Sequence, residues 1–128
     1  MDKNLTLTAV LGIITIILGA FGAHALKEKL GVDDLKSFET AVRYQMYHVL
    51  VLLFTNTYIG FSNRVKKQIS WLFFIGILFF SGSIYAITIG GVDPKSIWFI
   101  TPLGGLLFIG GWIVMLISFL RKPKQENY

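Results

Sequence analysis

The sequence predicts an all-α integral membrane protein, a four-helix bundle with an interfacial amphipathic helix between its first and second spanning helices. Two observations carry this. The hydrophobic fraction is 54% against 15% charged residues, far from the balance of a water-soluble domain. The charges are also confined: none lies between Lys3 and Lys27, Arg43 and Arg64, Lys67 and Asp93, or Lys95 and Arg121, leaving uncharged runs of 23, 20, 25 and 25 residues. A hydrocarbon core of about 30 Å needs roughly 20 helical residues, so each run is long enough to cross. The chain of 128 residues reads as one membrane domain.

Helix one is expected over about residues 5–23. Gly12, Gly19 and Gly22, with Ala20 and Ala23, recur at spacings that let a neighbouring backbone approach, and in lipid such packing replaces the hydrophobic effect as the drive for association. The run is too long for the apolar part of a cleaved secretory signal, despite Lys3 and the small-x-small pattern at Ala23, His24 and Ala25.

The following stretch is polar and balanced in charge. Gly31 ends what precedes it, and Asp33 or Asp34 offers an N-cap. Leu35, Phe38, Ala41, Val42 and Gln45 then recur at helical spacing opposite Lys36, Glu39 and Arg43, which predicts an amphipathic helix over about 33–45. It is expected to lie at the membrane interface and run unbroken into helix two, about 46–61. Helix two is the least apolar, with His48, Thr55, Asn56 and Thr57, and is expected to be central because polar groups in a span face protein.

A basic turn of Arg64, Lys66 and Lys67 precedes helix three, about 69–89, with Trp71 at an interfacial belt and Gly76 and Gly82 as packing positions. Gly90, Gly91, Asp93 and Pro94 break the chain. Trp98 is expected at headgroup depth, and Thr101-Pro102 as N-cap and first-turn proline of helix four, about 102–120. Gly104, Gly105, Gly110 and Gly111 give that helix a small-residue face, and Arg121, Lys122 and Lys124 form an aqueous tail. The N-terminus, middle turn and tail together carry seven Lys and Arg against five in the other two connections, which favours Met1 and Tyr128 in the cytoplasm.

The net charge of +5 reads as flanks facing headgroups rather than a nucleic-acid surface, because the basic residues lie between and after the apolar runs. Without cysteine, thiolate metal sites, disulfides and a cysteine nucleophile are excluded. No phosphate-cradling GxxxxGK, HExxH or GxSxG pattern occurs, so no catalytic, cofactor or metal residues are assigned. The candidate polar cluster is His24, His48, Tyr44, Gln45, Arg43 and Glu39. Both histidines are expected near one headgroup boundary, as backbone-satisfied structural groups or as a functional pair.

Four stretches, Gly19-Ala20-Phe21-Gly22-Ala23-His24-Ala25-Leu26, Tyr44-Gln45-Met46-Tyr47-His48, Phe80-Ser81-Gly82-Ser83-Ile84-Tyr85 and Thr101-Pro102-Leu103-Gly104-Gly105, resemble the YgdD/YwdK family of small bacterial membrane proteins. The resemblance covers nearly the whole chain. It implies a four-helix, multi-pass protein of the bacterial cell membrane and supplies no activity. The expected role is therefore an accessory or structural membrane protein, not an enzyme, whose partners are the lipid bilayer and either itself or another membrane protein. A small-molecule or ion transporter or channel component is the alternative; against it, no Asp, Glu, Lys or Arg lies inside a spanning run.

Overall fold

The structure, a computed structural model, describes residues 2–121; Met1, the tail lysines Lys122 and Lys124, and Tyr128, on which part of the orientation argument falls, lie outside them. Four long helices and one short turn of helix make up the described chain: α1 Lys3–His24, α2 Val32–Thr57, α3 Asn63–Thr88, α4 Pro94–Ile97 and α5 Ile100–Leu120. Three of the starts have a side-chain cap. The Asp2 carboxylate caps α1 by accepting from the amides of Asn4 and Leu5, the Ser62 hydroxyl caps α3 through Val65, and Asp93 caps α4 with Pro94 in its first turn.

Several boundaries differ from the sequence reading. The amphipathic stretch runs without a break into helix two as the single helix α2, but its N-cap is Gly31, so that Asp33 and Asp34 fall in the first turn, where their charge complements the dipole, rather than capping it. It stops at Thr57 instead of 61, where Tyr58 is extended and Gly60 leads into the turn. α3 begins at Asn63, six residues before the expected start, because Ser62 supplies a cap and the basic residues are simply its first turns. α5 begins at Ile100 with Phe99 as N-cap, so Thr101 lies inside the helix. Gly91, with φ of 71°, makes the reversal after α3.

α1 and α2 are antiparallel with a constant register. Gly22 meets Phe38, Gly19 meets Val42, Gln45 reaches Thr15, Gly12 meets Val49 and Asn4 bonds Asn56. Over this ladder the first half of α2 is packed along α1, with Phe38, Ala41 and Gln45 buried and Lys36, Glu39 and Arg43 exposed. α3 packs on α2, and α5 on α3. The core they share holds Val49, Leu52, Phe61, Ile69, Phe73, Ile77, Phe108 and Met115. Around it the surface is apolar: Ile13, Ile16, Ile17, Leu78, Leu106, Leu116 and Leu120 are among many large hydrophobic side chains left exposed, as lipid-facing helices require. α1, α3 and the span Pro94–Leu120 are long and apolar enough to cross a membrane.

The glycines divide by what a Cβ would meet. At Gly104 it would strike the α3 backbone, 2.8 Å from Phe79 C and Phe80 Cα, so the α3–α5 seam closes backbone to backbone there. Gly76 and Gly111 lie against the Phe108 and Phe73 rings, and Gly22 against Phe38. Gly12, Gly19 and Gly110 touch side chains at ordinary or slightly tight distances. Gly105 and Gly82 do not pack as expected: a Cβ at Gly105 would meet nothing within 4 Å, and at Gly82 only its own helix.

Candidate functional site

Polar side chains inside a membrane bundle have no water to fall back on, so each must find a partner on another helix or on its own backbone. α2 presents three such side chains on successive levels, and each is met.

Gln45 is 2% exposed and lies at the centre. Its Nε2 donates to Thr15 Oγ1 at 2.8 Å, and its Oε1 accepts from the Tyr85 hydroxyl at 2.7 Å, so one amide ties α1, α2 and α3 together. Thr15 in turn donates to Leu11 O at 2.6 Å, a back-bond along α1. One turn earlier, the Ser81 hydroxyl of α3 donates to Ala41 O at 2.7 Å. Helical spacing singled out Gln45 but not Thr15, Ser81 or Tyr85 as its surroundings. A threonine isolated in an otherwise aliphatic run was the available signal.

His48 forms the second level. Trp112 Nε1–H donates to His48 Nε2 at 3.1 Å, which makes Nε2 the acceptor and puts the ring proton on Nδ1, from which it is donated to Tyr44 O at 2.7 Å. The ring stacks on Phe108 with centroids 3.7 Å apart and planes 8° from parallel, and Phe73 meets it edge-on. Both nitrogens are spent, one face is stacked and the side chain is buried. This is a neutral imidazole acting as a joint between α2 and α5, with no free lone pair for a metal. Trp112, whose indole N–H needed an acceptor in mid-span, was the residue that sequence reasoning missed.

The third level is Asn56. Asn4 Nδ2 donates to Asn56 Oδ1 at 3.1 Å, while Asn56 Nδ2 donates to Ser70 Oγ and to Leu52 O, each at 2.9 Å. Thr55 is the exception: its hydroxyl is fully buried and has no partner among the described residues.

The expected cluster of His24 with His48 does not form. Extending the α1–α2 register sets His24 beside Lys36, about twelve residues from His48, and hence about 18 Å away along the axis. The reason is that the first half of α2 packs along α1. With residues 33–45 lying along the interface, both histidines would be at one boundary; because those residues pack along α1, His48 falls near the middle of the helix pair. His24 is exposed in the last turn of α1. Of the other candidates, Tyr44 is 41% exposed and stacks on Phe80 with centroids 5.0 Å apart. Arg43 donates to Thr40 Oγ1 at 3.2 Å on the exposed face, and Glu39 lies beside it on the rim of a small cavity at Gly19 and Gly22. No group of three or more His, Asp or Glu able to hold a metal occurs among the described residues.

Comparison with known proteins agrees with this membrane architecture. Residues 18–105 match the family model described as "Protein of unknown function (DUF423)". The UPF0382 membrane protein SH2409 of Staphylococcus haemolyticus is 40% identical over 121 residues, covering 94% of this chain and 98% of that one. The UPF0382 membrane protein SSP2132 of Staphylococcus saprophyticus is 41% identical over the same length, with 94% and 99% covered. The UPF0382 inner membrane protein YgdD of Escherichia coli K12 is 33% identical over 129 residues, with 94% and 92% covered. No solved structure matches the chain. The four stretches that resemble YgdD thus extend to near full-length similarity, and the chain belongs to the DUF423/UPF0382 family of membrane proteins.

Proposed function

We propose that the protein crosses the bacterial cell membrane four times with both termini in the cytoplasm, and that it serves as an accessory or structural membrane protein rather than an enzyme or transporter. The observation that supports a static role is the closure of its interior. Gln45, His48, Asn56 and their partners bind one another across the helix seams, and Phe38, Leu52, Ile69 and Phe73 fill the space between them without exposure. Such pairing holds helices in one arrangement and leaves no row of unpaired polar groups to carry a solute.

The α1–α2 ladder supports four crossings. A helix that stays in register with a spanning helix from Asn56 to Phe38 traverses the same depth, and its Lys36, Glu39 and Arg43 stand on an exposed face in its first half, where long side chains extend toward the headgroups. Lys3, Arg64, Lys66, Lys67 and Arg121 then gather at the opposite end of the bundle, which the positive-inside tendency places in the cytoplasm. Its partners on this reading are lipid and other membrane protein surfaces, its own included, and not nucleic acid.

Because the chain has no cysteine, single-cysteine labelling tests both parts. Cysteines at Thr15, Gln45 and Ser81 are expected to resist a water-soluble maleimide in intact membranes, with Ser62 labelled only from the cytoplasmic side and Asp93 only from outside. Labelling of the interior positions from water would replace the accessory reading with a transport path, and reversed labelling of the loops would reverse the orientation.

A further inference from the structure

α1 and α3 both pack on α2 but stand apart from each other. Two cavities of about 380 and 430 Å³ lie between them and share Leu7, Phe74 and Ile75, so they form one slot open to the lipid side. Its deep part is walled mainly by apolar side chains such as Leu11, Leu18, Phe74 and Leu78, and the Gln45 and Tyr85 side chains that also line it are bonded to each other. Its other end is polar and basic, with Lys3, Asn4, Lys67, Ser70 and Trp71.

We propose that this slot is a binding site for one anionic phospholipid, with an acyl chain between α1 and α3 and the phosphate at Lys3 and Lys67. Three features fit that occupant. The slot runs from Lys3 to Leu18, about 22 Å by helical rise, which is half the thickness of a bilayer with its headgroup layers and so matches one leaflet. The groups at its mouth are donors. Besides the two ammonium groups, the Ser70 hydroxyl accepts from Asn56 and donates to no described residue, and Asn4 uses one of its two amide hydrogens on Asn56. The nearby Asp2 carboxylate is occupied in capping α1. Trp71, 61% exposed beside them, has the amphipathic ring that settles at headgroup depth. A second copy of the chain fits less well, since a symmetric contact through this face would set Lys3 and Lys67 of both copies together.

Native mass spectrometry of the full chain, released from detergent with equimolar dioleoylphosphatidylglycerol and dioleoylphosphatidylcholine, reads the site directly. The expected result is one retained phosphatidylglycerol per chain. K3Q/K67Q, which changes only exposed side chains, should lower the preference for phosphatidylglycerol about tenfold or more, on the scale of two lysines at an anionic surface. K95Q at the opposite end should leave it unchanged. Gly82→Leu, which fills the apolar part of the slot where a Cβ has room, should reduce retention of both lipids. Equal retention of the two lipids by the unaltered protein, an unchanged preference in K3Q/K67Q, an equal loss in K95Q, or a lipid-free dimer would each overturn the proposal.

Discussion

Replacing Gly104 by Ala should loosen the α3–α5 seam, while the same change one residue later should not. A Cβ at Gly104 would lie 2.8 Å from Phe79 C and Phe80 Cα, roughly 1 Å closer than ordinary contact. Main-chain atoms cannot rotate aside, so α5 must move bodily. Phe108, one turn away and stacked on His48 at 3.7 Å, would move with it, as would Thr101 bonded to Ser83. Overpacking of this kind costs about 1–3 kcal/mol. At Gly105 a Cβ meets nothing, so Ala there brings only its helical preference over glycine, up to about 1 kcal/mol. That preference is common to both variants and cancels in their difference. Gly104→Ala should therefore be less stable than Gly105→Ala by about 1–3 kcal/mol, measured by denaturant unfolding in detergent and followed by helical circular dichroism. Equal stability of the two would refute the close approach of α3 and α5.

Other substitutions probe the polar levels. Gln45→Leu removes the bonds to Thr15 and Tyr85 and should destabilise by about 1–2 kcal/mol, since membrane hydrogen bonds average about 0.6 kcal/mol each; no change in unfolding midpoint would mean the amide is idle. Thr55→Val replaces a buried, unpartnered hydroxyl with a methyl and should stabilise by about 1 kcal/mol, and a loss of stability in the same assay would reveal a partner for that hydroxyl. Zinc should leave the melting temperature of the unaltered protein unmoved, because His48 spends both nitrogens on Trp112 and Tyr44. A zinc-dependent rise that His48→Phe abolishes would contradict that assignment.

The spans were legible because the exclusion of charge from hydrocarbon acts residue by residue. The Lys3–Lys27 and Lys67–Asp93 gaps bracket most of α1 and α3. α2 was harder. Its first half carries Lys36, Glu39 and Arg43, and charge alone sets that half at the interface, whereas Phe38 and Val42 pack it along α1. The glycine code was read in part. Spacing identifies small residues but not which face meets a neighbour, so Gly104 and Gly105 looked equivalent. The histidine pair failed because the first half of α2 packs along α1, which carries His48 to mid-bundle. The Trp112 contact joins residues 64 positions apart in the chain, and no local pattern announces such a pair.

The packing of α2 along α1 is the feature on which the proposed four crossings, the separation of the histidines and the closed interior all depend. Disulfide cross-linking of paired cysteines in the otherwise cysteine-free chain measures it at three heights: Asn4 with Asn56, Gly12 with Val49, and Gly19 with Val42. The account predicts that all three pairs cross-link in membranes, while pairs shifted by two residues, such as Gly12 with Val51, do not. Cross-linking at the first two alone would show the first half of α2 leaving α1 to lie along the membrane surface, and would contradict the structure's central arrangement.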